Sequence, residues 1–237
     1  MARGVGARTG PWEVGADALI GWAGRQDWKL ETRRCFRSSA LQFYRWGIEA
    51  GRATDNPALR LPRVRPAEPI ARPTPEHAYV AAVIGAPPRE RLMLRLAAEC
   101  GMRRGEVSRV HSDDLLQSID GWSLIVHGKG GKDRCVPLPD SLAAELRALG
   151  AGYAFPGADK GHLSAAWVGK LVTRRLPGNF TMHTLRHRFG TQAYAVDRDI
   201  LAVQALLGHA SPVTTRRYVR VPDASLRRTI EAVQRIA

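Results

Sequence analysis

Residues 56–75 read NPALRLPRVRPAEPIARPTP, and this stretch decides how the rest of the chain is organised. Its six prolines have no backbone N–H to donate, so a continuous helix cannot pass through it. We therefore predict an extended connection between two separate pieces of chain. The predicted organisation is a small helical domain over residues 1–66, a linker over 67–75 and a larger domain over 76–237.

The piece before the prolines carries the spacing of a helix. Its residues Phe36, Ala40, Tyr44 and Ile48 recur at four-residue steps, as expected for one face of a helix. About 65 residues are enough for one small domain at typical domain sizes. The first piece is therefore predicted to be a single small helical domain.

The piece after the prolines combines helical patterns with one predicted β-hairpin. Apolar runs at residues 122–127 and 134–138 flank the glycine-rich sequence GKGGKD, which places Lys129 at the tip of the turn. Helical patterns cover residues 87–100, 140–149, 164–176, 183–196 and 200–207. The predicted fold class is mainly α with a small antiparallel β-sheet (α+β), in two domains. An apolar stripe in the tail, residues 223–237, needs a partner surface, which is either its own domain or another protomer.

The charge balance indicates a polyanionic partner. The chain has 36 basic and 22 acidic residues, a net charge of +14, and residues 1–73 hold 13 of the basic and 7 of the acidic side chains. Nucleic acid explains this charge better than a membrane does, since no apolar run approaches the roughly 18 residues of a membrane span. We expect a soluble cytoplasmic protein whose two basic domains close around a duplex. Two merely solvated surfaces are the alternative.

The sequence HTLRH at residues 183–187 places polar groups at the start of a predicted helix. Helical spacing puts His183, Arg186 and His187 on one side, where they could bind an anion or a metal. Zinc is disfavoured because Thr184 replaces the glutamate of the HExxH motif and Arg186 adds positive charge. The arginine fork suits two phosphate oxygens. Taken alone, the motif is explained equally well by residues that brace helices.

Cysteine spacing gives no further metal site. Cys35, Cys100 and Cys135 form no paired spacing, so neither a disulfide framework nor a four-cysteine zinc site can be built from them. We expect reduced thiols in the core.

A second motif, LLGHASPVTTRRY at residues 206–218, follows the last helical pattern. His209 stands just past a glycine stop, and Tyr218 follows nine positions later among Arg216, Arg217 and Arg220. That electropositive setting favours a phenolate and attracts phosphate. The alternative for Tyr218 is an ordinary packed aromatic.

The motifs together resemble the tyrosine recombinase or phage integrase family. GMRRGE at residues 101–106, GKGGKDRCVPL at 128–138, HTLRH at 183–187 and LLGH with its distant tyrosine occur in that family's order and at similar separations. Each motif alone is weak, whereas their joint occurrence is highly specific. The helical piece before them looks like the family's core-binding domain.

The resemblance implies a set of catalytic residues. Arg103 and Arg186 would bind the non-bridging oxygens of the scissile phosphate, with His183 and His209 completing the hydrogen bonds. Tyr218 would attack the phosphorus and form a 3′-phosphotyrosyl bond. Lys129 would protonate the departing 5′-oxygen.

The resemblance also implies partners and the absence of cofactors. The partners would be double-stranded DNA at attachment or core sites and three further protomers in a homo-tetramer, with exchange of C-terminal helices. No metal, ATP or other cofactor is expected, because one phosphoester is exchanged for another. The leading hypothesis is a site-specific recombinase in the cytoplasm of a bacterial host, an integrase of a phage or other mobile element.

Two alternatives remain at this point. A type IB topoisomerase uses a similar active site, although the core-binding domain argues against it. A DNA-binding protein that occupies a recombination site without cutting would be expected to lack Tyr218, Arg103 or Arg186. All three are present.

Several neighbouring residues are assigned supporting or structural roles. Glu106, three residues after Arg103, could orient that arginine, and a plain surface pair is the alternative. His187 is expected to support the site without touching the phosphate. Lys132 is expected to make backbone or DNA phosphate contacts, with a solvated hairpin turn as the alternative. Trp46 and Trp167 are expected in the core. Asp113 and Asp114 are expected at a surface or a helix cap, and His127 is expected to be a surface or satisfied structural histidine.

Overall fold

The computed structural model describes residues 10–65, 72–128 and 130–208. The contacts divide the chain into two compact units, Met1–Pro69 and Ile70–Ala237, with the division inside the proline-rich stretch. Most of the predicted linker and the whole predicted tail at 223–237 lie outside the described residues. The role of the first unit as a core-binding domain stays a prediction.

The first unit is built on two helices and one 3₁₀ turn. Helix α1 spans Ala16–Gly24, α2 spans Leu30–Glu49, and the turn at Pro57–Arg60 closes against both. The four-residue stripe of α2 supplies part of the core, since Ala40 and Tyr44 are buried. Among the described residues of this unit, the buried hydrophobic cluster consists of Leu19, Ala40, Tyr44, Ala58 and Leu61.

The second unit is mostly helical. Its helices are α3 (Glu76–Ile84), α4 (Pro88–Glu99), α5 (Arg104–Val107), α6 (Asp140–Arg147), α7 (Ala165–Arg175), α8 (Met182–Asp197) and α9 (Ile200–Leu207). Side-chain caps explain where two of them begin, because Ser164 Oγ accepts from the Trp167 N–H and Asp199 Oδ1 accepts from the Leu201 N–H. Within the described part of the chain, no helix is long and apolar enough to cross a membrane.

A small antiparallel sheet accompanies these helices. Strands β1 (Leu115–Ser118), β2 (Gly121–Val126) and β3 (Arg134–Pro137) pair in the order β1-β2-β3, with Leu124 opposite Val136. A second sheet holds two-residue strands, β4 (Pro156–Gly157) and β5 (Gly161–His162). The predicted hairpin and the mainly α fold class with small antiparallel sheets are therefore confirmed, and β1 is an additional strand.

Helix α4 forms the centre of the second unit. It packs against α3, α5, α6, α7 and α8, and it is buried on most of its surface, including Leu92, Met93, Leu94 and Leu96. The chain then turns at Gly101, where φ is +63° and an added Cβ would lie 2.5 Å from a ring carbon of Phe189. Only glycine fits this turn, which delivers the chain directly to Arg103.

Two aromatic side chains predicted to lie in the core are at the surface. Trp46 is 48% exposed and Trp167 is 41% exposed. Each ring carries a cation over its face, Arg52 at 5.3 Å from the Trp46 centroid and Lys170 at 5.2 Å from that of Trp167. The apolar ring surface is therefore partly covered by a neighbouring cationic side chain instead of by the core.

The three cysteines also differ from the prediction. Cys35 and Cys135 are exposed, whereas Cys100 is buried. Burial raises the pKa of the Cys100 thiol to about 12. A core thiol is therefore found only at position 100.

Candidate active site

A cavity of about 810 Å³ lies in the second unit among α5, α7 and α8. Three of the residues predicted for catalysis line it together, namely Arg103, His183 and Arg186. Among the described residues, the charged side chains of the lining are six cations and one carboxylate, which are Arg103, Arg104, Arg109, Lys170, Arg174, Arg186 and Glu106. This excess of positive charge suits a phosphate-bearing ligand.

Arg103 stands at the start of α5, immediately after the turn at Gly101. Its Nη1 donates to Glu106 Oε1 at 2.6 Å, and its backbone N–H donates to Glu106 Oε2 at 2.8 Å. The Arg103 side chain is 44% exposed, whereas the Glu106 side chain is only 4% exposed. Glu106 therefore orients Arg103 from inside the protein, and the alternative of a surface pair is wrong.

Arg134 of β3 also binds Glu106. Its Nη1 and Nη2 donate to Oε1 and Oε2 of that carboxylate at 3.1 and 2.8 Å. Burial alone would raise the pKa of the carboxyl group, but the hydrogen bonds from Arg134 and from the backbone and side chain of Arg103 lower the pKa to about 2. Glu106 is therefore ionised throughout the neutral range.

Arg186 projects from α8 into the floor of the same cavity. Its guanidinium is 3% exposed and donates to the backbone carbonyls of Gly101 and Leu207. Glu106 Oε2 lies 3.9 Å from Arg186 Nη1. These contacts hold the guanidinium in place before any ligand enters, so it needs little reorganisation to bind a negatively charged ligand.

His183 and His187 contact each other one turn apart on α8. Their Nε2 atoms are 2.9 Å apart, with His183 exposed in the cavity and His187 buried behind it. A hydrogen bond between two ring nitrogens needs one donor and one acceptor, so the tautomers of His183 and His187 are coupled. Among the residues that the structure describes, no group of three His, Cys, Asp or Glu side chains is arranged to hold a metal ion.

The other three predicted residues, Lys129, His209 and Tyr218, lie outside the described residues. The chain is described on both sides of position 129, and as far as Gly208 before position 209. The Gly128 N–H donates to Asp133 Oδ1 at 3.3 Å, and Gly208 is the C-cap residue of α9. The structure thus brings together half of the predicted set.

Arg134 was missed by the sequence reasoning, although its pattern contained a signal. Arg134 lies two residues before Val136 on β3, so the two side chains share one face of the strand, and Val136 is buried against the core. An arginine on the inward face of a strand needs a buried anion, since an unpaired charge is costly there. That requirement would have indicated a buried carboxylate as its partner, but only the structure identifies this carboxylate as Glu106.

His127, which follows β2, binds two carboxylates. Its Nε2 lies 2.8 Å from Asp114 Oδ1 and its Nδ1 lies 2.9 Å from Asp133 Oδ2. Arg109, which lines the cavity, donates to the His127 carbonyl at 2.6 Å. Hydrogen bonds to Asp114 and Asp133 raise the pKa of His127 above its ordinary value.

The raised pKa of His127 predicts a pH-dependent contribution to stability. Because the folded state binds this proton more tightly than the unfolded state, the stabilisation is complete below about pH 6.5 and disappears as the pH rises through the folded pKa. The variant His127→Gln should therefore be less stable than wild type at pH 5.5, with a smaller difference at pH 8.5. Urea unfolding at both pH values measures this. An Asp114→Asn background should reduce the dependence, and an equal difference at both pH values would contradict the assignment.

Comparison with known proteins identifies the class that this fold and cavity define. The chain belongs to the phage integrase family, whose family model matches residues 79–225. It is 36% identical to the tyrosine recombinase XerC of Rhodospirillum centenum over 209 residues, which is 78% of this chain and 60% of that protein. It is 27% identical to XerD of Pseudomonas aeruginosa over 240 residues, which is 90% of this chain and 80% of that protein.

Two solved structures show the same fold. The integrase from mycobacterium phage Brujita matches with a TM-score of 0.54 and 25% identity, over 94% of this chain and 79% of that one. The XerH site-specific recombinase bound to a palindromic difH substrate matches with a TM-score of 0.73 and 20% identity, over 98% of this chain and 75% of that one. The family predicted from the motifs is confirmed.

Proposed function

We propose that this protein is a site-specific DNA recombinase that cleaves and rejoins duplex DNA through a 3′-phosphotyrosyl intermediate. The observation that carries the proposal is the cavity in which Arg103, Arg186 and His183 meet, with Glu106 fixing the first arginine. Two guanidinium groups aimed into one basic cavity suit the two non-bridging oxygens of a phosphodiester.

The roles of the individual residues follow from this arrangement and from the family motifs. Arg103 and Arg186 bind the phosphate oxygens, and His183 donates a further hydrogen bond with His187 behind it. We assign the attack on phosphorus to Tyr218 and protonation of the leaving 5′-oxygen to Lys129, with His209 as an additional phosphate ligand. One ester replaces another of similar energy, so rejoining needs no ATP.

Phosphate contacts beside the cavity are proposed for α7. Lys170 and Arg174 stand one turn apart on α7 and line the cavity, and their charged groups lie 5.2 and 5.9 Å from the centroid of the Trp167 ring. In the first unit, a separate groove of about 310 Å³ is lined by Arg34, Arg37 and Arg63. Both surfaces offer cations to a DNA backbone.

The α7 contacts predict a change in the salt dependence of DNA binding. A double variant, Lys170→Gln with Arg174→Gln, should bind all duplexes more weakly and reduce the slope of log Kd against log salt by about 2, one for each lost phosphate contact. Binding titrations at several salt concentrations measure this slope. Arg147→Gln is the control, because Arg147 also stacks on a tryptophan, Trp122, but does not line the cavity. Equal slopes for wild type and the double variant would rule out these contacts.

Within the recombinase class we propose an integrase of a phage or other mobile element that acts in the bacterial cytoplasm. It would assemble as a homo-tetramer on double-stranded core sites, with the tail at 223–237 exchanged between protomers. The likeness to the Brujita integrase supports this role, whereas the identity to XerC favours recombination at a resident chromosomal site. The two roles are distinguished by sequencing the DNA junctions that form in a host carrying the gene and its flanking element. Junctions between the element and the host DNA indicate an integrase, and junctions within a resident chromosomal site indicate the other role.

The experiment that tests the proposed function is a search for a covalent adduct. The protein is incubated in EDTA with a pool of nicked suicide duplexes that contains a bound site, and SDS-resistant protein–DNA products are resolved on a gel. An adduct at a DNA 3′ end is the expected result. Tight binding without any adduct would contradict the proposal and favour a DNA-binding protein that does not cut.

A further inference from the structure

The last three carbonyls before position 209 each accept a hydrogen bond from a different arginine. Arg134 Nε donates to the Leu206 carbonyl at 2.8 Å, Arg186 donates to the Leu207 carbonyl, and Arg103 Nη2 is 3.5 Å from the Gly208 carbonyl. Carbonyls at the end of a helix have no partner within the helix and carry partial negative charge. The C-terminal end of α9 is thus built into the cluster of arginines at the cavity.

Arg134 is the member of this cluster that does not line the cavity. Its side chain is 9% exposed, and all three of its guanidinium nitrogens are used. The Nη atoms bind both oxygens of Glu106, while Nε binds α9. One side chain therefore connects strand β3, the carboxylate that orients Arg103 and the end of α9.

A second observation shows how closely α9 rests on this side chain. Gly208 has a φ of +60°, and a Cβ added there would lie 3.0 Å from Arg134 Cδ and 3.1 Å from Arg134 Nη1. A methyl group at position 208 would therefore push against the guanidinium. Glycine is required both for the left-handed turn and for this close approach.

We propose that Arg134 is a positioning residue for DNA cleavage. Its guanidinium joins Glu106, the carboxylate that holds Arg103, to the C-terminal end of α9, after which the chain continues to His209. This inference rests on the proposed function and adds to it a residue that does not touch the phosphate. Through Arg134, the orientation of Arg103 and the point where the chain leaves α9 are set by one guanidinium.

The guanidinium is suited to this task in a way that an ammonium is not. It presents a planar fork to the two Glu106 oxygens and keeps a third N–H for the Leu206 carbonyl. A lysine carries the same charge on a single nitrogen, so it can bind the carboxylate or the helix end but not both in this geometry. Arg134→Lys should therefore keep the positive charge but lose the bridge between Glu106 and the end of α9.

The test uses the full chain with Arg134→Lys and Arg134→Gln and combines two measurements. Hydrogen exchange should accelerate by about 10-fold or more in the last turn of α9, at residues 204–208, in both variants. Single-turnover cleavage at saturating DNA, expressed per active molecule, should fall by roughly 10- to 100-fold, as it does when supporting hydrogen bonds of a site are lost. The Kd for DNA should change by no more than about 2-fold, since Arg134 makes no phosphate contact.

A matched pair of glycine variants approaches the same contact from the other side. Gly208→Ala and Gly178→Ala both place a Cβ on a left-handed backbone, with φ of +60° and +57°, but only position 208 faces Arg134, because nothing lies within 4 Å at position 178. Gly208→Ala should reproduce the loss of exchange protection and of cleavage rate. Gly178→Ala should lower only the thermal stability.

Two results would overturn the proposal. One is wild-type exchange at residues 204–208 in Arg134→Gln, and the other is a normal cleavage rate per active molecule in Gly208→Ala and Arg134→Lys. A wild-type protein that forms no adduct would refute the proposed recombinase function instead. In that case the exchange measurement alone decides whether Arg134 holds the end of α9.

Discussion

Replacing Tyr218 by phenylalanine is expected to abolish the covalent protein–DNA adduct completely. The variant keeps the aromatic ring and lacks only the oxygen that we propose as the nucleophile, so the proposed reaction loses its attacking atom. DNA binding should change by less than about 2-fold, because the cationic contacts to phosphate remain. The adduct is measured on SDS gels with suicide duplexes in EDTA, and the Kd is measured on the same duplexes.

A control tyrosine makes this result specific. Tyr194 lies on α8, where its ring packs in a small cluster with Val203 and Leu207. Tyr194→Phe removes the same single oxygen and should leave adduct formation intact. An adduct that persisted in Tyr218→Phe would show that another residue is the nucleophile.

The second large effect is expected for Glu106→Gln, which removes the carboxylate that binds Arg103 and Arg134. The change leaves Arg103 and Arg134 without their anion and turns an amide N–H toward a guanidinium. Loss of one partner of a buried ion pair costs about 3–5 kcal/mol of unfolding free energy. Cleavage at saturating DNA should fall as well, because the carboxylate also orients Arg103.

The pKa of Glu106 gives this prediction a pH signature. Since that pKa is about 2, well below the value of about 4.5 for a free carboxyl group, its stabilisation is present above about pH 4.5 and is lost as the pH falls toward 2. The difference in unfolding free energy between wild type and Glu106→Gln should therefore shrink across that window. Urea unfolding at a series of pH values measures it.

Glu90→Gln is the matched control for Glu106→Gln. Glu90 is a buried carboxylate paired with Arg175, and it does not line the cavity. Its partner is more exposed than Arg134, so its loss should cost less stability and leave the cleavage rate per active molecule unchanged. If the two variants behaved alike in stability and in rate, Glu106 would have no special role.

Local signals in the sequence predicted much of the second unit. Helix α9 spans residues 200–207, as its helical pattern predicts, and ends before Gly208, and the glycine-rich turn predicted the β2–β3 pairing. These features depend on neighbouring residues, whose caps and turn preferences act over a few positions. Helical spacing placed His183 and Arg186 on one side of a helix, but their convergence with Arg103 was available only through the family motifs, because Arg103 lies 80 residues before His183.

The features that the sequence did not reveal depend on distant contacts. The Arg134 and Glu106 pair joins residues 28 positions apart, and the contact between Arg134 and Leu206 spans 72. Helical spacing correctly placed Trp167 on α7 but could not show that cations, rather than core side chains, cover its ring. Burial of a side chain is set by what packs against its helix, which periodicity does not report.

The carbonyls that hold Arg186 have a consequence for how this chain tolerates mutation. Gly101 and Leu207 lie at the ends of two helical segments, and their carbonyls would be left buried without that guanidinium as donor. Selection for a folded protein alone would then preserve Arg186, even in a lineage that had stopped cutting DNA and only bound it. The presence of Arg186 would then report that the domain folds, and the loss of Tyr218, which we propose as the nucleophile, would mark the end of DNA cleavage in such a lineage.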